Sequence, residues 1–468
     1  MTRREFIILA QSVGLSTWFG DMAFAQMTRS TVTRKSATAA AAANDIDFLR
    51  KGVKALMDEK DAMKYASWMY WANSHCTPDP IPPAMQSVWC RCAHTPEEGP
   101  LNLNFLPWHR AYLFFFESLI RELTHEAGFA LPYWDWYAST DIPSAFTAGG
   151  NNVLNWSPRD FSTKTLLKSA LRQHTFDRFS DLLEGNPHGT VHVMVSGDMG
   201  AIETSARDPV FWAHHGNIDR LWSVWLADPH NANPTDPTWN AQSFAFDVAG
   251  QKHVTVASLL KTEDLGYKYD NLQPAATTDA VPARPANVKA TPALPNANMM
   301  MNVQPQLLSR SNSVDLSGSV NFNMKVPEMM RNRFSMMAEG AGNAPKLAVV
   351  LEGVQVTDEG KKRGFEYRIY LNLPTAPSAE DKHDDFFVGI ISSFKLSHHT
   401  NPNAVLVFPI DQLAPALAKR GLWKPDEVNI ALINDDKEAK APLVTIKNVG
   451  LVVAQSPITP EGVKALSR

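Results

Sequence analysis

The stretch "HGTVH" places His188 and His192 four residues apart. On a helix, side chains at i and i+4 share a face and reach one ion. A third imidazole, His215, lies in "DPVFWAHHGNIDR", with Asp219 four residues further on. At that spacing a carboxylate accepts the N–H of a ligating ring and fixes its tautomer. His75, His94 and His109 form a second set. Two sets of three neutral nitrogen donors, with no carboxylate at a ligand position, suit copper, which such a site holds in both oxidation states. Zinc on three histidines is the competing reading of the same residues. The chemistry on offer is therefore redox chemistry or metal-assisted hydrolysis.

Helices must present these rings. "DIDFLRKGVKALMDEKDAMKYASWMYWANSH" has apolar residues at helical spacing and ends on His75. "PWHRAYLFFFESLIRELTHEAG" starts with Pro107 near the first turn, holds His109 there, and ends near Gly128. "DPVFWAHHGNIDRLWSVWLAD" opens on an Asp208 cap followed by Pro209 and carries His215. His94 falls on the loop "CRCAHTPEEGP".

The 468 residues allow two or three domains, at roughly 100 to 200 residues each. A formal net charge of −4 argues against a nucleic-acid partner. Residues 1–25 read as a twin-arginine export signal. Arg3 and Arg4 precede an apolar stretch, and Ala23-Phe24-Ala25 is a small-x-small cleavage site. This predicts a periplasmic or secreted protein. No other apolar run reaches the roughly 20 residues that span a bilayer, so no membrane contact is expected after processing.

Residues 26–45 are Ala/Thr-rich and predict a disordered leader. From 46 to 272 the pattern is mainly α-helical. Residues 273–305 carry Pro274, Pro282, Pro285, Pro292, Pro295 and Pro305, a linker composition. From 306 to 468 the pattern changes to strands, among them "KLAVVLEGVQV", "FEYRIYLNL" and "LVTIKNVGLVV", read as a β-sandwich. The cysteines are three, Cys76, Cys90 and Cys92, so one disulfide leaves one sulfur for another job.

"FLPWHRAYLFFFE", "LPYWDW", "HGTVH" and "DPVFWAHHGNIDRLW" together resemble the type 3 dicopper oxidases: tyrosinases, catechol oxidases and the related haemocyanins. The resemblance covers about residues 60 to 228. It implies two copper ions in an antiparallel four-helix bundle. His75, His94 and His109 hold one, and His188, His192 and His215 hold the other. His214 is then the neighbour, Asp219 steadies His215, and Phe211 and Trp212 wall the site. "CAH" is similar to the Cys-x-His of members with a thioether, which implies one between Cys92 and His94 and leaves Cys76 and Cys90 for a disulfide. "TPEEGPLNLN" reads as an insertion, since His94 and His109 stand further apart than the family usually spaces them.

The resemblance further implies oxidation of o-diphenols to o-quinones by dioxygen, and ortho-hydroxylation of monophenols such as tyrosine. Glu184 matches the glutamate that holds a basic water in the family, whereas Gly189 replaces the asparagine often paired with it. "DMGAIETSARDPVF" is similar to plant polyphenol oxidases and puts Ile202 where they carry a bulky gate. Val193 and Gly189 complete the expected substrate gate. The C-terminal part also resembles the plant domain that shields the copper site. Partners implied are phenolic small molecules and dioxygen, with room for a copper-loading chaperone. A haemocyanin-like dioxygen carrier without catalysis is the alternative. His398 and His399, in "SHHTNPN", read as a solvated turn.

Overall fold

Helices carry the first half of the chain because apolar residues recur there at helical spacing, with polar stops between them. The computed structural model describes residues 31–94, 103–273, 279–294, 305–332, 335, 345–396, 405–410, 413–435 and 439–466. The expected export signal lies outside the described residues, as do His398 and His399 and residues 95–102 of the expected insertion. Among the described residues no helix is long and apolar enough to cross a membrane.

The helices are α1 (Ala43–Asp58), α2 (Trp68–His75), α3 (Phe105–Thr124), α4 (Phe176–Leu183), α5 (Thr190–Val195), α6 (Val210–Leu226) and the short α7 (Pro237–Asn240). The run expected to be helical up to His75 is two helices, broken at residues 59–67. Helix α3 stops before Gly128, because His125 takes the left-handed conformation (φ 59°) that closes a helix. At the head of α6, the Asp208 carboxylate accepts the Val210 N–H at 2.9 Å, as a capping residue does. Trp212 does not wall the site. It stacks on Phe116 at 3.5 Å between centroids and packs against Trp71 and Tyr112. It therefore ties α6 to α2 and α3 through core burial, a contribution of about 3 kcal/mol for a large side chain.

The second half is sheet. One sheet has the order β11 (Phe387–Ser392), β10 (Glu366–Leu371), β13 (Glu427–Ile433), β8 (Val320–Lys325), β5 (Val288–Thr291). The other has the order β12 (Val405–Pro409), β9 (Lys346–Val356), β14 (Val444–Ala454), β6 (Gln306–Arg310), with β7 (Val314–Leu316) also on β14. Strands β9 and β14 pair antiparallel along their length, and β9 is buried on both faces, hence its apolar run from Leu347 to Leu351. Helices α8 (Asp358–Arg363), α9 (Ser393–Leu396), α10 (Ala414–Lys419) and α11 (Pro460–Leu466) decorate the sheets. A two-stranded ribbon of β2 (Ser243–Ala245) and β3 (His253–Thr255) stands apart from them.

Two boundaries differ from expectation. The linker is not all linker, since β5 lies within it and pairs parallel with β8. Residues 31–45 of the expected leader are structured. There β1 (Val32–Arg34) pairs parallel with β4 (Tyr267–Tyr269). Composition misses this because the strand is three residues long and its partner lies more than 230 residues away. Arg34 is fully buried. Its guanidinium donates to Glu117 on α3 at 2.8 Å and to Asp219 on α6 at 3.1 Å, and lies over the Tyr267 ring. Arg34→Ala strips a partner from two buried carboxylates. It should lower unfolding stability by about 3–5 kcal/mol, read from denaturant titration.

Candidate metal centre

Six imidazoles converge where α2, α3, α5, α6 and the loop after Cys92 meet. His75 lies 5.5 Å from His94 and 5.6 Å from His109, ring centre to ring centre, and His94 lies 5.1 Å from His109. In the second set, His188 is 4.7 Å from His192 and 5.0 Å from His215, with His192 and His215 5.6 Å apart. The sets touch, because His109 stacks on His215 at 4.4 Å and His94 on His188 at 5.4 Å. Every sequence-predicted ligand is thus in one cluster.

The segment bearing the second set is a helix with a defect. Between α4 and α5, Glu184–Gly189 forms a wide helical turn in which Asn186 is extended (φ −136°, ψ 118°). Even so, His188 and His192 stay on one face.

Main-chain carbonyls fix the tautomers. Nδ1 of His75 faces Ile202 O at 3.1 Å, His109 faces Phe105 O at 2.7 Å, His188 faces Glu184 O at 2.9 Å and His192 faces Met199 O at 2.8 Å. A carbonyl only accepts, so each Nδ1 carries the proton and each Nε2 keeps its lone pair. The Nε2 atoms of His109, His188, His192 and His215 are buried without a hydrogen-bond partner. Burial, reinforced by neighbouring imidazoles, holds His75, His109, His188, His192 and His215 well below the ordinary histidine range. Buried, neutral nitrogens with no partner are what a metal ion requires of its ligands. An all-imidazole donor set fits copper.

His214 belongs to the same cluster. Its Nδ1, however, accepts the indole N–H of Trp136 at 3.1 Å. The neutral ring then carries its proton on Nε2, which has no lone pair to give. Burial alone takes its pKa down to about 3. Trp136 was not singled out by sequence, although "LPYWDW" contains it.

Asp219 is a correction, for it does not touch His215. It accepts from Arg110 at 2.5 Å, Arg34 at 3.1 Å, Tyr267 at 2.6 Å and Tyr269 at 2.5 Å. Two guanidiniums outcompete a neutral ring for a buried carboxylate. Despite burial, those cations hold Asp219 below the ordinary carboxylate range. Phe211 steadies His215 instead, at 4.2 Å, and also walls His75. Glu184 is buried and its Oε1 lies 3.2 Å from His94 Nδ1, so it orients that ring as the carbonyls orient the others.

Cys76 and Cys90 are a near pair, joined sulfur to sulfur by a hydrogen bond. That bond, with burial, pushes the Cys76 thiol up. The Cys92 sulfur lies within 4.8 Å of ligand nitrogens of His75 and His94. Hydrogen bonds from the N–H groups of Cys90, Arg91 and Cys92 to the carbonyls of Asn73, Ser74 and His75 zip this loop onto α2.

The expected gate residues meet a side chain that sequence reasoning missed. Ile202 and Val193 are buried with Cys76 around Phe394, at the start of α9. The Phe394 ring stacks on His192 at 4.0 Å with planes 16° apart, and lies 5.5 Å from His188 and 6.0 Å from His94. A Cβ on Gly189 would come within 3.8 Å of that ring. Gly364 lets the chain ahead of β10 approach Val193 closely. Its φ is +65°, and any Cβ would meet Val193 at 2.9 Å. Further out, Arg172 binds Asp384 through both carboxylate oxygens at 2.6 Å and Asp279 at 2.9 Å, clamping the sheet domain to the helical one.

With this geometry in hand, comparison with known proteins is specific. The family model "Common central domain of tyrosinase" matches residues 65–167 and 144–228. A tyrosinase of Hahella sp. is 28% identical over 429 residues, covering 79% of this chain and 86% of that protein. A chloroplastic polyphenol oxidase of Malus domestica is 24% identical, covering 63% of this chain and 58% of that protein. Among solved structures, latent apple tyrosinase matches with a TM-score of 0.57 at 20% identity, over 91% of this chain and 97% of that one. At that identity the likeness speaks to fold: a helical core followed by sheets.

Proposed function

We propose that this chain, whose residues 65–228 carry the central domain of tyrosinase, is a copper-dependent phenol oxidase that converts o-diphenols to o-quinones with dioxygen. The observation that carries this is the convergence of six imidazoles, four of them held by main-chain carbonyls with Nε2 turned inward. On this reading His75, His94 and His109 hold one copper, and His188, His192 and His215 hold the second. When bound, the copper pair supplies dioxygen activation and the exchange of two electrons with the phenol.

The residues of the chain do the rest. The His192 face that Phe394 covers is the platform for a substrate ring. Ile202, Val193 and Gly189 frame it, and their small size admits substituted rings. Glu184 stands beside His94 and takes the proton of a docking phenol, directly or through water. Ortho-hydroxylation of monophenols such as tyrosine is the second activity we assign.

The same reading makes α2, α3, the 176–195 segment and α6 an antiparallel four-helix bundle and the paired sheets a β-sandwich. It makes Phe394 a plug that keeps the full chain latent, and residues 1–25 a twin-arginine signal. In the oxidising compartment Cys76 and Cys90 join, and Cys92 links to His94. The test is direct: copper analysis of the purified chain, then quinone absorbance with 4-methylcatechol and with tyrosine. Two coppers and quinone from both substrates are expected. Zinc in place of copper, or dioxygen binding without quinone, would overturn the reading.

Latency then depends on the Arg172 clamp. Burial raises the Asp384 carboxyl, but hydrogen bonds from His383 and Arg172 outweigh it and bring the pKa down to about 2. A depressed carboxylate stabilises the docked state above its ordinary pKa, and that stability is lost as pH falls through the lowered value. Asp384→Asn should therefore cost up to about 1 kcal/mol at pH 7, discounted for a partly exposed pair, and clearly less as pH falls to 2. Urea titrations of both chains at the two pH values check this.

A further inference from the structure

The turn that carries His188 breaks a helix, so its shape must be held by something other than a regular helical ladder. Asn186 is extended there, and Pro187 follows it with no N–H to give. Side chains supply the missing bonds. The buried Asn186 carboxamide donates to Thr165 O at 3.0 Å and accepts the Leu167 N–H at 2.7 Å. It also donates to Glu366 Oε1 at 2.9 Å. Glu366 is the first residue of β10, in the sheet domain, and it too is buried. Its other oxygen accepts the hydroxyl proton of Thr190, at the start of α5. One buried carboxylate thus bridges residues 186 and 190, with His188 midway between them and His192 two residues beyond. The sheet domain is fitted to reach this turn. A Cβ on Gly185 would come within 3.1 Å of Ile390, and one on Gly189 within 3.8 Å of Ser392, so glycine at both places lets β11 lie against it. Two residues along β10, Arg368 pairs with Asp435, whose other oxygen accepts the Thr165 N–H at 3.2 Å.

We propose that Glu366 is a positioning residue for His188 and His192, which makes the sheet domain part of the second metal site's support as well as its cover. This rests on the phenol oxidase reading above. A carboxylate with both oxygens on one segment fixes how that segment is turned, and with it the direction of the two rings it carries. Without the bridge, the Thr190 hydroxyl and one Asn186 N–H are left buried and unpaired, and the turn relaxes to satisfy them. The first set rides on α2, α3 and the loop after Cys92, and the carbonyls of Ile202 and Phe105 orient its rings. The effect of Glu366 is therefore confined to the second site.

The test titrates the full-length, metal-free chain with Cu²⁺ against a competing chelator. His188→Ala leaves only the first set complete, and His109→Ala only the second, so the sites are read one at a time. In the His109→Ala chain, Glu366→Leu should weaken copper binding about ten- to a hundredfold. In the His188→Ala chain it should change nothing. Glu366→Gln should restore most of the affinity, because its carbonyl accepts from Asn186 and its amide donates to the Thr190 oxygen. Asp384→Asn, which loosens the interdomain clamp without touching this turn, should bind both coppers as the parent does. Hydrogen exchange of the metal-free chain gives a second readout: the amides of residues 184–192 should exchange faster in Glu366→Leu, and those of α3 should not. If Glu366→Leu does not fold, Thr190→Val removes one arm of the bridge and should give a smaller loss at the second site alone. Equal losses at both sites, no loss at the second, or a Gln variant as weak as the Leu variant overturns the proposal. Preference for zinc with no quinone formed would instead sink the oxidase reading, and the same titrations with Zn²⁺ still decide the role of Glu366.

Discussion

His188→Ala should leave one copper where the parent chain holds two, and slow 4-methylcatechol oxidation by at least about a thousandfold, roughly 4 kcal/mol of barrier. His188 is the hub of the cluster. Its ring stands within 6.3 Å of His94, His109, His192 and His215. Its Nε2 is buried with no partner, while Glu184 O anchors the other nitrogen. Truncation removes one of three donors from the second set, and two imidazoles do not close a copper site. It also frees the Glu184 carbonyl in a buried turn, which costs about 1–3 kcal/mol of stability. Metal analysis separates this structural cost from the loss of the ligand. His214→Ala is the control. Its ring is equally buried, but Trp136 occupies Nδ1 and leaves the proton on Nε2, so copper content should stay at two. If His214→Ala lost copper and His188→Ala did not, the ligand assignment would be wrong.

Phe394→Ala should have the opposite sign: the full-length chain gains at least about tenfold in kcat/KM for 4-methylcatechol, with copper content unchanged. The ring lies flat on His192 at 4.0 Å, the separation at which a substrate ring would stack. While it stays, a phenol must displace it along with its packing on Val193 and Ile202. Truncating a buried phenylalanine costs about 3–5 kcal/mol of packing, and here that cost falls on the closed state. The gain should appear in KM more than in kcat, because the reacting centre is untouched. An unchanged KM would mean that the ring is ordinary interdomain core and that closure is enforced elsewhere.

The ligands were legible because helical spacing is local. His188 and His192 announce themselves at i and i+4, and the strands of β9 and β14 by their apolar runs. What sequence could not supply was the direction of longer-range choices. Asp219 stands at the correct spacing from His215, yet its partner is an arginine 185 residues earlier, in a stretch whose composition reads as disordered. Phe394 is one phenylalanine among 23, and only folding brings it to His192. Strand β5 hides among prolines because one parallel pairing suffices to hold it. In each case local pattern was overruled by a contact between distant segments.

The clamps on four of the rings belong to the polypeptide backbone, at Ile202, Phe105, Glu184 and Met199. A carbonyl is present whatever amino acid is encoded there, so mutation cannot delete it while the local path of the chain survives. Evolution is thereby free to rewrite the walls, the rim and the lid around an inherited centre. A lineage can change the molecules it accepts, or the conditions under which it opens, without renegotiating how its imidazoles point.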